Sequence, residues 1–205
     1  MNVSGSKTKQ QLADIVVGAR GWLHEQWIAS YYPEDIPSEW RLGFYANEFN
    51  ALLVPWAQWS ESIEALEEGL EDTDDDFHLY LELPDAPQSL PEHWHVIADQ
   101  VRGLVCTQGD ASHWFEIAES AGVPLLAEIQ SESVFIGYAP YGEASASIEL
   151  AMIDGTKIDD LTLMREQLEQ ALQLADSRLD FIFIDTAPTL DAMRNTMMIA
   201  ELLGA

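Results

Sequence analysis

Several polar side chains stand where apolar runs give out, and their types can do chemistry. Arg20 follows the first run and lies between Gly18 and Gly21, which let the backbone come close to a ligand. A guanidinium there could grip a carboxylate or phosphate bidentately, or pair with one of the chain's many acids. Glu128 closes a run near the middle of the chain and Asp185 closes the last one. If the runs are strands of one sheet, both carboxylates meet at one end of it, with Asp154 and the segment 108–113. Such a group could share a proton or hold Mg²⁺, or serve to cap helices and to neutralise Arg20. His113, beside Trp114, is the histidine best placed for acid–base work. The catalytic candidates are therefore Glu128, His113 and Asp185. The ligand-binding candidates are Arg20, Trp22, Asp154 and Trp59, the two tryptophans as flat faces for a sugar or aromatic ring.

Other constellations fall short. His93 and His95 are two apart, so on a helix they face different ways, and no second Cys or His cluster completes a tetrahedral set. Asp72, Asp74 and Asp76 begin like a calcium loop, but Phe77 takes the place of its glycine and Leu83 that of its bidentate glutamate. Cys106 has no cationic neighbour in sequence to activate it and reads as a core residue. There is no Gly-x-Ser-x-Gly elbow. The run 180–188 resembles the second nucleotide motif of ParA-type ATPases, yet the chain has no glycine-rich loop ending in Lys-Ser/Thr to hold phosphates. No resident metal or cofactor is expected, with Mg²⁺ at the strand ends the one exception.

The elements that would position these residues alternate. Strand-like runs are expected over 14–18, 51–56, 77–83, 103–107, 123–129, 134–138, 147–153 and 179–185. Helical patterns are expected over 38–49 with Ser38 as cap, and over 60–70, 91–101, 111–121, 158–174 and 190–203, where Gly204 would end the last. Continuous apolar strands between amphipathic helices predict an α/β fold, a parallel sheet covered on both sides. Up to eight strands suit a TIM-barrel-like (βα)8 domain, complete or shortened and irregular, against a typical length of about 250 residues. An open doubly wound parallel sheet is the alternative. Residues 1–12 are expected to be a flexible segment ahead of a single domain over 13–205.

Composition narrows the function classes. The 205 residues carry 36 Asp or Glu against 9 Lys or Arg, a formal net charge of −27. Binding to nucleic acid or an anionic membrane needs positive charge that this chain cannot assemble. A hydrophobic fraction of 47% excludes a disordered acidic tail. No run approaches the roughly 20 apolar residues of a membrane helix, and no apolar stretch follows the polar start as a signal peptide would require. A single cysteine permits no internal disulfide and points to the cytoplasm. Eleven of the acids crowd into 61–85, which reads as a solvated face adapted to high salt, or else as a surface for a basic partner.

The first fifty residues resemble a known family. Gly18-Ala19-Arg20-Gly21-Trp22, then Trp27, Tyr31-Tyr32-Pro33, Arg41-Leu42, Phe44-Tyr45-Ala46 and Phe49 are similar to the opening of the YecE-like family, the domain of unknown function 72. The final strand and helix, from Phe181 to Leu203, are similar in style to that family's last unit. The resemblance implies a TIM-barrel-type fold and little chemistry, because the family's activity is not established. The departures are specific. Leu53, Pro55, Trp59 and Ser60 stand where the family carries Glu, Asn, Tyr and Arg, Ala19-Arg20 replace its Thr-Ser, and Met152-Ile153-Asp154-Gly155 replace its Arg-Leu-His-Gly. A scaffold kept without its polar strand ends suggests a non-catalytic or degenerate barrel serving as a binding or interaction module. The competing expectation is a hydrolase or isomerase with a rebuilt site, acting on a small anionic or sugar-like metabolite.

Overall fold

A computed structural model describes residues 15–203, apart from 62, 87–88, 132–134, 144–146, 158–159, 176–178 and 187. The segment 1–12 and Gly204 therefore lie outside the described residues.

Among the described residues eight strands close into a barrel in chain order. They are β1 (Val16–Arg20), β2 (Ala51–Val54), β3 (His78–Glu82), β4 (Val101–Cys106), β5 (Leu125–Ser131), β6 (Phe135–Pro140), β7 (Leu150–Asp154) and β8 (Phe181–Asp185). Closure comes from β1 pairing with β8, Val16 opposite Phe181 through to Ala19 opposite Ile184. That pairing overturns the open doubly wound alternative.

The expectation of an all-parallel sheet also needs correction. Strand β6 runs antiparallel to both β5 and β7, with Glu128 opposite Tyr138 and Ile136 opposite Met152. Only three residues separate β5 from β6, whereas a parallel crossover takes a dozen or more, so the chain must turn straight back. The barrel is irregular for that local reason.

Side-chain alternation divides the apolar residues into two cores. Leu53, Tyr80, Val105, Leu126, Tyr138 and Phe183 are among those filling the lumen. The opposite faces of the strands pack against the helices through residues such as Trp27, Leu52, Trp114 and Leu168. Those helices are α1 (Glu25–Ser30), α2 (Arg41–Ala46), α3 (Trp56–Trp59), α4 (Ile63–Leu70), α5 (Ala111–Ala121), α6 (Leu161–Leu174) and α7 (Leu190–Leu203).

Two expected helices are broken up, and two others begin later than expected, α4 at Ile63 and α6 at Leu161. The pattern over 38–49 is a 3-10 turn at Ser38–Trp40 followed by α2, and the Ser38 hydroxyl bonds Glu39 instead of capping. The stretch 91–101 holds two 3-10 turns, Trp94–Val96 and Ala98–Gln100, with no side-chain cap on either. Side-chain caps mark the starts of α5, which keeps its expected bounds, and of α6, which keeps its expected end. Asp110 and Asp160 accept from the second backbone N–H of α5 and α6, and Gly122 ends α5 at φ +70°.

Candidate functional site

Arg20 is the last residue of β1, and Gly21, at φ +83°, turns the chain away behind it. The side chain lies at the barrel mouth, where the carboxyl ends of seven parallel strands gather. Its Nε donates to Glu82 Oε2 at 2.8 Å and its Nη2 to Glu82 Oε1 at 2.9 Å, a two-pronged ion pair. Nη1 reaches Asp185 Oδ1 at 3.4 Å. Thr107, just past β4, donates its hydroxyl to Glu82 Oε1 at 3.0 Å. Both oxygens of Glu82 are thus engaged.

Glu82 ends β3 and its side chain is 9% exposed, against 32% for Arg20 and 34% for Asp185. Burial pushes the Glu82 carboxyl above the ordinary range, while Arg20 and the Thr107 hydroxyl pull the other way. The indole N–H of buried Trp59 fixes the backbone from outside the barrel, donating to the Glu82 carbonyl at 2.8 Å. At the last strand, Thr186 directly after Asp185 takes φ +49°, a region that β-branched residues rarely enter. His24 completes the β1 side. Its Nε2 lies 3.1 Å from the Gly21 carbonyl, and burial lowers its pKa, with the Arg20 charge adding to the effect.

The sequence-derived candidates divide. Arg20 and Asp185 do come together, joined to a residue that the sequence reading passed over. Glu128 does not close its run but is exposed in the middle of β5, in register with Tyr138 of β6, and lines a cavity of about 660 Å³ that Thr107 also borders. His113 sits exposed in the first turn of α5, its ring edge-on to Trp114 at 4.8 Å, with no bond to the Arg20 group among the described residues. Asp154 closes β7, and its Oδ1 accepts from the Thr156 N–H and hydroxyl at 3.0 and 2.7 Å, a local cap. Trp22 and Trp59 are 8% and 0% exposed and pack between sheet and helices, so neither offers a face to a ligand. His93 and His95 flank the start of a short 3-10 turn with ring centres 6.3 Å apart. Among the described residues no three His, Cys, Asp or Glu side chains come together to hold a metal ion.

Glu82 and Thr107 are the residues missed. The signal for Glu82 was present, since it ends an apolar strand as Asp185 does, and the alternation His78, Tyr80, Glu82 places it on the lumen face. Leu53, standing where the YecE-like family carries Glu, is fully buried in the lumen. Among the described residues the Arg20 guanidinium faces the two carboxylates of Glu82 and Asp185, so the cluster is net negative.

No family model matches the sequence, and no curated protein matches it. Among solved structures, the fold is similar to that of a DUF72 family protein from Thermotoga maritima MSB8, with a TM-score of 0.53 over 93% of this chain and 99% of that one. At 12% identity the likeness establishes the fold alone. The chain is thus built on the fold of a DUF72 family protein, consistent with the resemblance that its first fifty residues bear to the YecE-like family.

Proposed function

We propose that the protein is a non-catalytic barrel acting as a binding module, its mouth held by an internal ion pair. The observation that carries this reading is the two-pronged Arg20–Glu82 contact, reinforced by Thr107 and Asp185. A hydrolase or isomerase would use a free cation to steady developing negative charge and a carboxyl of raised pKa to give a proton. Here the mouth arginine is neutralised, and Glu82, whose carboxyl burial raises, has both oxygens bonded. The net negative mouth also disfavours the anionic metabolite that a lone arginine would suggest. A cytoplasmic setting is part of the same proposal and rests on the single, buried Cys106.

The test compares wild type with Glu82→Gln on chromogenic aryl glycosides, esters and phosphates. Neither protein is expected to release product above the buffer rate. Turnover by the wild type that Glu82→Gln abolishes would overturn the reading.

A further inference from the structure

Away from the mouth, the exposed apolar side chains are not scattered evenly. Among the described residues thirteen large hydrophobic side chains are exposed, and six of them belong to α6 and α7 alone. Three of the six gather at one place. Leu161, Met198 and Leu202, which are 49%, 44% and 77% exposed, border a groove of about 430 Å³ between the two helices. Ile199 and Leu203 add to its lining, and Arg165 is its one charged residue. Single exposed apolar residues are ordinary, whereas several around one open groove mark a contact surface. Met198 brings a flexible, polarisable side chain that adapts to whatever packs on it.

Charge selects the occupant. The two helices carry four acids, Glu166, Glu169, Asp191 and Glu201, against Arg165 and Arg194. The stretch 61–85, by contrast, carries eleven acids and no Lys or Arg. A basic partner is drawn to that stretch and not to this groove. Two copies of a chain of charge −27 repel each other over most of their surfaces, and they meet at least cost where acids are sparse. The face is also complementary to itself. Arg165 bonds Glu169 through its Nε at 2.8 Å, and among the described residues its two Nη groups remain free to donate. Glu201 is exposed, one turn beyond Met198, with no ion pair among the described residues. A two-fold axis presents each copy's Arg165 to the Glu201 of the other while the apolar rims meet.

We propose that the α6–α7 face is a homodimer interface, in which Leu161, Met198 and Leu202 of two copies pack together about a two-fold axis. The proposal goes beyond the binding-module reading and does not depend on it.

The experiment is sedimentation equilibrium of the full chain up to about 200 µM, a range that reaches the weak association of a modest interface, in low and in molar NaCl. A dimer is expected, tighter in molar salt because screening removes the repulsion between two acidic bodies. Met198→Asp combined with Leu202→Asp should weaken it about tenfold or more, since two carboxylates would enter an apolar contact. Both positions are exposed, so circular dichroism should show the native fold, and Leu202→Asp alone serves should the pair of changes disturb it. Ile129→Asp, at an exposed apolar residue of β5, should dimerise like wild type. Arg165→Glu should weaken the dimer, and adding Glu201→Arg should restore it. A wild type that stays monomeric throughout, a dimer that survives in the folded aspartate variants, equal loss in Ile129→Asp, or no rescue by the charge swap would each overturn the proposal.

Discussion

Tyr45 reaches from α2 to two strands at once, its hydroxyl donating to the Ala51 carbonyl at 2.8 Å and accepting from the Ala19 N–H at 2.9 Å. The sequence shows Tyr45 only within the stretch that resembles the YecE-like family, because two bonds to residues 6 and 26 positions away leave no mark on spacing. Glu82 was obscured for the same reason. Its strand position was legible, while its partner Arg20 lies 62 residues off across the barrel. Trp59 shows the reverse error, because an aromatic at a family motif position invites a ligand role that complete burial denies it. His24 carries a prediction at this scale. Burial lowers its pKa below the ordinary 6.5, so the native state binds fewer protons than the unfolded chain just below that pH. Stability should therefore fall as pH drops from 6.5 through the lowered value. His78, lowered by burial and by Arg102, acts in the same direction. Equilibrium unfolding of His24→Asn should show a shallower loss than wild type over that window. Parallel curves for the two proteins would show that His24 does not contribute.

At the scale of elements, legibility followed local signals. The boundaries of α5 and α7 match the sequence expectation residue for residue. For α5 the reason is plain, since an Asp cap and a left-handed glycine stop sit in the sequence itself. The stretch 91–101 lacks caps and breaks into two 3-10 turns. The reversed direction of β6 was written in the three-residue link before it, which the alternation of strands and helices elsewhere concealed. Two glycines separate strain from close packing. Gly18 lies where a Cβ would overlap the Ala51 carbonyl of the neighbouring strand, so β1 and β2 depend on its small size. Gly122 has φ +70° and open space around it. Gly122→Ala should cost about 1 kcal/mol from backbone conformation alone. Gly18→Ala should cost several-fold more, roughly 3 kcal/mol or above, because backbone must shift. Thermal unfolding of the pair checks the ranking, and equal losses would contradict the close approach of β1 and β2.

For the whole molecule, a charge of −27 on 205 residues means that self-repulsion opposes the compact state at low ionic strength. If the acidic face is a salt adaptation, the melting temperature should climb steeply between low and molar NaCl as screening shortens the range of repulsion. A flat profile would point the face toward a basic partner instead. Within this background Arg20 is tied to two carboxylates at the mouth, the end of the barrel where such folds carry their chemistry. In the proposed reading that pair supports the global fold. The most direct test is a double-mutant cycle on urea unfolding with Arg20→Gln, Glu82→Gln and the double variant. A partly buried, two-pronged pair predicts a coupling energy of about 1–3 kcal/mol, each single change costing more than its share of the double. Additive effects within about 0.5 kcal/mol would contradict the account, leaving Arg20 free of Glu82 and available to a substrate.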